Sequence, residues 1–143
     1  MNVLFSLKPE YANAILSGKK KYEFRRSIFK NPQVKKAFIY VTAPISKIVG
    51  GFLIGKIICG TPQEIWKKCK RHSGISKKAF FDYYDGCKKA FAIQIQKVFD
   101  FANPLDPYLR KPNFRPPQSF CYVMDEFSPE RNIFQRTLGT FFG

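Results

Sequence analysis

The alternation of apolar and polar residues along this chain predicts short β-strands. The clearest signal lies in residues 88–101, where Phe91, Ile93 and Ile95 face one way and Gln94 and Gln96 face the other, as expected for a strand with one buried face. Similar apolar patterns predict five further strands. These five segments are residues 2–7, 22–25, 36–43, 47–59 and 119–123.

Three short helices are predicted from the residues that begin and end them. Pro9 suits the first turn of a helix and Gly18 suits its end. Thr61 and Glu64 have the spacing of a capping box, and Ser76 is placed to cap a third helix. The predicted helices span residues 9–17, 62–71 and 77–85.

This order of elements favours an α+β fold, namely a small mixed, mostly antiparallel β-barrel with short flanking helices. Glycines within residues 47–59 are typical of bulges or bends in such a barrel. Residues 104–117 are too rich in proline for regular structure. We therefore expect a single domain over residues 1–143, with a core at about 3–123 and an irregular or short helical extension at 124–143.

The charge of the chain indicates a polyanionic partner. The sequence has 25 Lys and Arg against 10 Asp and Glu, which gives a net charge of +15. That is well above the magnitude of about 2–8 that suits a small soluble domain, and nucleic acid is the expected partner. The 16 Phe and 7 Tyr add flat faces on which bases can stack. The alternatives are a charge that serves solubility alone, or an anionic membrane surface, for which no clean basic amphipathic helix is present.

The sequence argues against a metal site, a cofactor or a membrane span. The cysteines lack the two-residue spacing of a zinc or redox motif, and the chain has a single histidine. No apolar run approaches the roughly 20 residues of a transmembrane helix, and the first residues do not form a signal peptide. We expect a cytoplasmic protein with reduced thiols and with no metal or cofactor.

An ordered set of short motifs resembles the ASCH domain family. The motifs are Lys8-Pro9-Glu10-Tyr11-Ala12, then Ile15, Gly18, Lys20, Glu23 and Arg25, a glycine-bearing strand, Tyr-x-x-Gly before Lys-x-Ala-x-x-Ile, and Pro116-Pro117-Gln118-Ser119-Phe120. The resemblance covers about residues 3–123. It implies a PUA-like barrel, a cleft lined by the polar members of these motifs, and a role linked to RNA.

The strand pattern supports a cleft of this kind. If Tyr22 and Phe24 face the core, Glu23 and Arg25 share the opposite face of the strand. A carboxylate beside a guanidinium can recognise the donor and acceptor edges of a base or a sugar. Lys20, just before the strand, adds a charge for a phosphate or a carbonyl group. The alternative is a structural Glu-Arg pair on a solvated face of the sheet.

Three further residues are expected to reach the same cleft. Lys8 lies at the end of a strand and directly before a helix, where N-terminal amides favour an anion. Gln118 and Ser119 come from the segment that closes the barrel. For these two, the alternative is a local turn in which Ser119 hydrogen-bonds to nearby backbone.

The two helices between the fourth and fifth strands carry a dense basic patch beside four aromatic residues. The patch consists of Lys67, Lys68, Lys70, Arg71, Lys77 and Lys78. Basic groups next to exposed aromatic rings are typical of surfaces that bind single-stranded RNA. Among the four rings, we expect Tyr84 to face the pocket. The alternative is a lysine-rich helix face that is only solvated.

We therefore expect an RNA- or nucleotide-binding domain that acts as a regulatory module in RNA metabolism, translation or transcription. The alternative is a hydrolase of RNA or of a modified nucleoside. Some ASCH-like proteins resemble acetylcytidine amidohydrolases that use a lysine, a threonine and a glutamate. Lys20 fits the lysine, but Glu23 occupies the threonine position and no residue is assigned as the glutamate. For RNA cleavage, Glu23 would act as the base while Lys20 and Arg25 hold phosphate.

Overall fold

A computed structural model of the protein describes residues 1–124 and 126–127. It contains the six strands that the sequence predicts. They are β1 (Asn2–Leu7), β2 (Tyr22–Arg25), β3 (Lys36–Val41), β4 (Lys47–Gly60), β5 (Ala90–Leu105) and β6 (Phe120–Val123).

The six strands form one sheet in the order β2-β5-β4-β3-β1-β6. Strands β1 and β3 are parallel, and the other neighbours are antiparallel. The predicted fold class is confirmed, since the sheet is a mixed, mostly antiparallel half-barrel with short helices. Register shifts at Gly50 and between Ile54 and Ile57 mark the irregularities that the glycines of β4 predict.

The helices have the predicted starts and slightly earlier ends. They are α1 (Pro9–Leu16), α2 (Pro62–Cys69) and α3 (Lys77–Tyr83), with a 3-10 turn at Lys70–His72. The capping box is present, because Thr61 Oγ1 accepts from the Glu64 amide at 3.2 Å and Glu64 Oε1 accepts from the Thr61 amide at 3.0 Å. Local capping therefore decides where α2 begins.

The proline-rich segment is more regular than the sequence predicts. Strand β5 continues to Leu105, and Pro107–Arg110 forms a short helix, α4. Its start is stabilised by Asp106, whose Oδ1 accepts from the Tyr108 amide at 2.9 Å. The expected extension at 124–143 lies outside the described residues, apart from positions 124, 126 and 127.

Two apolar clusters pack on opposite faces of the sheet near β2. One cluster contains Val3, Phe5 and Leu7 of β1 together with Ile93 of β5 and residues of α1. The other joins Phe24 and Ala92 to α2 and α3 through buried residues such as Ile65 and Phe80. Because Ala92 and Ile93 are adjacent on β5, these clusters lie on opposite faces. Both faces of β2 are therefore covered.

Within the described residues, no helix is long and apolar enough to cross a membrane.

Candidate functional site

A cleft of about 880 Å³ opens at the end of the half-barrel, where β1 leads into α1. Its walls come from β1, α1, β2, α3 and the segment before β6. Six of the residues selected from the sequence line it together. They are Lys8, Lys20, Glu23, Arg25, Gln118 and Ser119.

Glu23 and Arg25 form a buried ion pair in this cleft. Glu23 is 4% exposed and Arg25 is 7% exposed, and Arg25 Nη1 donates to Glu23 Oε2 at 3.0 Å. In the sheet, Glu23 lies opposite Ile93 and Phe24 lies opposite Ala92. The acid and the guanidinium thus point to the side of the sheet that holds Phe5. The alternative of a pair on a solvated sheet face is wrong, because both faces of β2 are covered.

Arg25 also joins the two edges of the sheet. Its Nη2 atom donates to the carbonyl oxygen of Ser119 at 2.6 Å and to Ser119 Oγ at 2.8 Å. Strands β2 and β6 are the edges of the described sheet, and Ser119 directly precedes β6. The guanidinium rests 4.7 Å from the centre of the Phe5 ring. One side chain therefore holds together walls that are 94 residues apart in sequence.

Two polar atoms at the cleft are buried without a hydrogen-bond partner among the described residues. They are Arg25 Nε and Ser6 Oγ, and both residues line the cleft. An unpaired buried polar atom costs free energy, typically about 1–3 kcal/mol. A ligand or a water molecule that supplied the missing partner would recover that cost.

Lys20 lines the cleft and is only 3% exposed. Its Nζ atom donates to the carbonyl oxygen of Ser73 at 2.7 Å and lies 4.5 Å from the centre of the Phe24 ring. Burial lowers the pKa of this amine to about 8, and the nearby Glu23 carboxylate offsets only part of that effect. At pH 7 roughly a tenth of Lys20 is therefore uncharged, and the fraction rises as the pH approaches 8.

Gly74 supports Lys20, and sequence reasoning did not identify it. Its φ angle is +64°, in the left-handed region that favours glycine. A Cβ atom at this position would lie 2.5 Å from Cβ and 2.7 Å from Cγ of Lys20. The two residues are distant in sequence, so no local pattern could reveal the contact.

No family model matches the chain, but individual relatives do. The ASCH domain-containing ribonuclease of Zymomonas mobilis is 33% identical over 129 residues, which cover 86% of this chain and 84% of that protein.

The chain belongs to the ASCH domain family.

Solved structures agree with this assignment. The crystal structure of ASCH from Zymomonas mobilis superposes with a TM-score of 0.83 at 30% identity, over 92% of this chain and 94% of that one. A second relative is the large ribosomal subunit protein uL22 of Ureaplasma parvum, 31% identical over 104 residues. That similarity covers 73% of this ASCH domain but only 33% of the ribosomal protein.

The prediction that Tyr84 faces the pocket is wrong. Tyr84 is buried against Phe80, and its hydroxyl donates to the carbonyl oxygen of Arg25 at 2.9 Å. Burial raises its pKa, which is consistent with a phenol kept neutral. Tyr83 lines the cleft instead, with the Arg26 guanidinium 4.4 Å from its ring centre. Tyr84 supports the strand that carries Arg25.

The predicted basic patch lies outside the cleft. All six of its residues are exposed, and none is among the residues that line the cleft. The neighbouring aromatic rings mostly pack on one another, with Trp66 and Phe80 at 5.0 Å and Phe80 and Phe81 at 5.1 Å between ring centres. Binding of RNA by Lys67, Lys68, Lys70 and Arg71 stays a prediction.

The described residues contain no group of three or more side chains suited to hold a metal ion. The four cysteines are free. Burial raises the pKa of Cys69 to about 11, and the nearby charges of Lys68 and Lys20 offset only part of that effect. That thiol is therefore a poor nucleophile near neutral pH.

Proposed function

We propose that this ASCH domain binds RNA and holds one base in the cleft, as a regulatory module in RNA metabolism, translation or transcription. The observation that carries the proposal is the buried Glu23–Arg25 pair beside Lys20. A cleft for phosphate alone would gain nothing from a buried carboxylate, which repels anions. A base presents donors and acceptors along one edge, and it can use the carboxylate and the cations together.

The geometry of the ion pair leaves room for a ligand. Arg25 Nη1 donates a hydrogen bond to Oε2 of Glu23, while Oε1 of Glu23 makes no hydrogen bond within the described part of the chain. Oε1 can accept from the amino group of a base, and the ammonium of Lys20 can donate to a ring carbonyl. Cytosine presents this combination of an amino donor and a carbonyl acceptor.

The rim of the cleft suits the remainder of a nucleotide. Lys8 and Arg26 are exposed there and can contact phosphate. The Tyr83 ring, covered on one side by Arg26, offers a flat surface for stacking. The net charge of +15 adds long-range attraction for a polyanion.

The relatives support RNA as the ligand. The Zymomonas mobilis relative, which aligns with 86% of this chain, is named as a ribonuclease, and that name agrees with an RNA-binding ASCH domain. The Ureaplasma parvum relative has a matching region of 104 residues within a protein named as part of the large ribosomal subunit.

A second candidate function is RNA cleavage, and the state of Lys20 favours it. An amine with a pKa of about 8 lies near the operating pH, as a general base should. Glu23 is the weaker choice of base, because it is engaged by Arg25. Two features of Glu23 disfavour the amidohydrolase reaction. Glu23 is paired with Arg25, and it stands where those enzymes have their nucleophilic threonine.

In such a cleavage, uncharged Lys20 would take the proton of a ribose 2′-hydroxyl. The 2′ oxygen would then bond to the adjacent phosphorus as the bond to the 5′ oxygen breaks. The leaving oxygen would take a proton from Lys20 or from water, which gives a 2′,3′-cyclic phosphate and a 5′-hydroxyl. Arg25 and Lys8 would stabilise the charge on phosphorus oxygens.

Binding of cytidine 5′-monophosphate and of ribose 5-phosphate tests the proposal by calorimetry. We expect the nucleotide to bind more tightly, and Glu23→Gln to reduce that preference by at least about tenfold, because a hydrogen bond to a charged group contributes about 1.5–3 kcal/mol. Asp100→Asn removes an exposed carboxylate of β5 outside the cleft and serves as the control.

Equal affinity of wild type for the two ligands would show that the cleft does not read a base. To test for cleavage, the same protein samples are incubated with a short single-stranded RNA and examined for a cyclic phosphate product. If wild type forms a cyclic phosphate product, Lys20→Met should abolish product while RNA binding persists. Product formed equally by Lys20→Met would exclude Lys20 as the base.

A further inference from the structure

The loop that carries Lys20 is in direct contact with the 3-10 turn that follows α2. The Lys21 amide donates to the carbonyl oxygen of His72 at 2.9 Å, and Lys20 Nζ donates to that of Ser73 at 2.7 Å. Gly74 packs against the stem of Lys20. Residues 72–74 therefore form a partition that lies against Lys20, which itself lines the cleft.

Exposed cations flank this partition. Lys19 and Lys21 are exposed on either side of the buried Lys20, and Lys70 and Arg71 are exposed just before His72. None of these four cations forms an ion pair within the described residues. By contrast, Lys78, further along the same insertion, is paired with Asp82 at 2.7 Å. Unneutralised positive charge thus lies on both sides of the partition, next to the cleft residue Lys20 and within the basic patch.

We infer that Lys19, Lys21, Lys70 and Arg71 form a continuous track for the backbone of single-stranded RNA between the cleft and α2. The inference rests on the proposed function and extends it: the ligand is a chain of several nucleotides, with one base in the cleft and neighbouring phosphates on the track. Lys19 and Lys21 join two regions that the sequence suggests only as separate sites.

The physical basis is the release of counterions. Each phosphate that a lysine neutralises on a single strand contributes about −0.7 to the slope of log affinity against log salt concentration. Loss of Lys19 and Lys21 should therefore reduce that slope by about 1.4, and should weaken binding of a long ligand roughly 10- to 30-fold at 0.1 M salt. A mononucleotide is too short to occupy both the cleft and the track.

The test is a length series of oligocytidylates, from the mononucleotide to the octanucleotide, measured by fluorescence anisotropy competition. The variants are Lys19→Gln/Lys21→Gln and a matched control, Lys30→Gln/Lys35→Gln. The control removes two exposed lysines from the loop between β2 and β3, which do not line the cleft. Thermal melting verifies that each variant is folded.

We expect wild-type affinity to rise with length, and the ratio of octamer to mononucleotide affinity to fall more in the Lys19/Lys21 variant than in the control. An equal fall of this ratio in both variants would overturn the track but not the proposed function. The same holds if wild type binds the mononucleotide but its affinity does not rise with length. A wild type that binds neither ligand would overturn the proposed function itself.

Discussion

The cleft and the helical insertion use the same basic residue types in opposite environments. In the cleft, Lys20 and Arg25 are almost completely buried and each has defined partners. On the insertion, Lys70 and Arg71 are exposed. A buried charge loses its hydration and must be compensated by neighbours, whereas an exposed charge is stabilised by water and screened by salt.

Under the proposed function, the difference predicts separate roles for the two regions. Burial lowers the pKa of Lys20 and fixes Arg25 across the sheet edges, which would let the cleft orient a ligand and support proton transfer. The insertion can attract a polyanion from a distance but orients it weakly. Substitutions of matched residues should therefore have much larger effects on stability in the cleft.

The largest contrast is expected between Arg25→Met and Arg71→Met. Loss of Arg25 leaves Glu23 as a buried carboxylate without its cation and removes both bonds to Ser119. The free energy of unfolding should fall by about 3–5 kcal/mol, whereas Arg71→Met should change it by less than about 0.5 kcal/mol. Urea unfolding measures both.

The double variant Glu23→Gln/Arg25→Met provides a further control. It removes the uncompensated charge and should recover part of the loss. Similar effects of Arg25→Met and Arg71→Met would mean that the ion pair of the cleft is solvated.

A smaller contrast concerns pH. Because the pKa of Lys20 is about 8 in the folded protein and near its ordinary value of 10.5 when unfolded, the unfolded chain binds more protons between these values. The free energy of unfolding of wild type, relative to Lys20→Met, should therefore rise between pH 7.5 and 9.5, by about 2 kcal/mol. Unfolding at several pH values measures this difference.

Lys70→Met is the matched variant for the pH series. Lys70 is exposed, so any pH-dependent change that Lys70→Met shares with Lys20→Met does not come from burial of the amine. A flat difference between wild type and Lys20→Met would show that the amine of Lys20 titrates like a solvated one.

The smallest contrast compares Gly74→Ala with Gly86→Ala. Both glycines have left-handed backbones, with φ angles of +64° and +77°. An added Cβ would meet Lys20 at position 74 but nothing within 4 Å at position 86. Gly74→Ala should therefore cost roughly 1–2 kcal/mol more in unfolding free energy than Gly86→Ala.

In the same variant, displaced Lys20 should move toward water, and its pKa should rise toward the ordinary value. Nuclear magnetic resonance of labelled lysines would detect this shift. Equal destabilisation by the two alanines would contradict direct support of Lys20 by Gly74.

Most elements of this protein, except α4 and the last residues of β5, follow from its sequence alone because their signals are local. Alternation of Phe91, Ile93 and Ile95 with polar residues predicted β5, and the Thr61–Glu64 capping box predicted the start of α2. The spacing of Glu23 and Arg25 placed them on one face of a strand, and the motifs around them indicated the family. Each of these inferences depends on residues only a few positions apart.

Only the tertiary structure decided how the site is built. The sequence pattern could not show that β2 is covered on both faces, which buries Glu23 and Arg25, nor that Tyr83 rather than Tyr84 lines the cleft. The contact of Arg25 with Ser119 spans 94 residues and that of Lys20 with Ser73 spans 53. Such contacts depend on the order of strands in the sheet and on where the insertion packs, and those are set by burial of the whole chain rather than by local pattern.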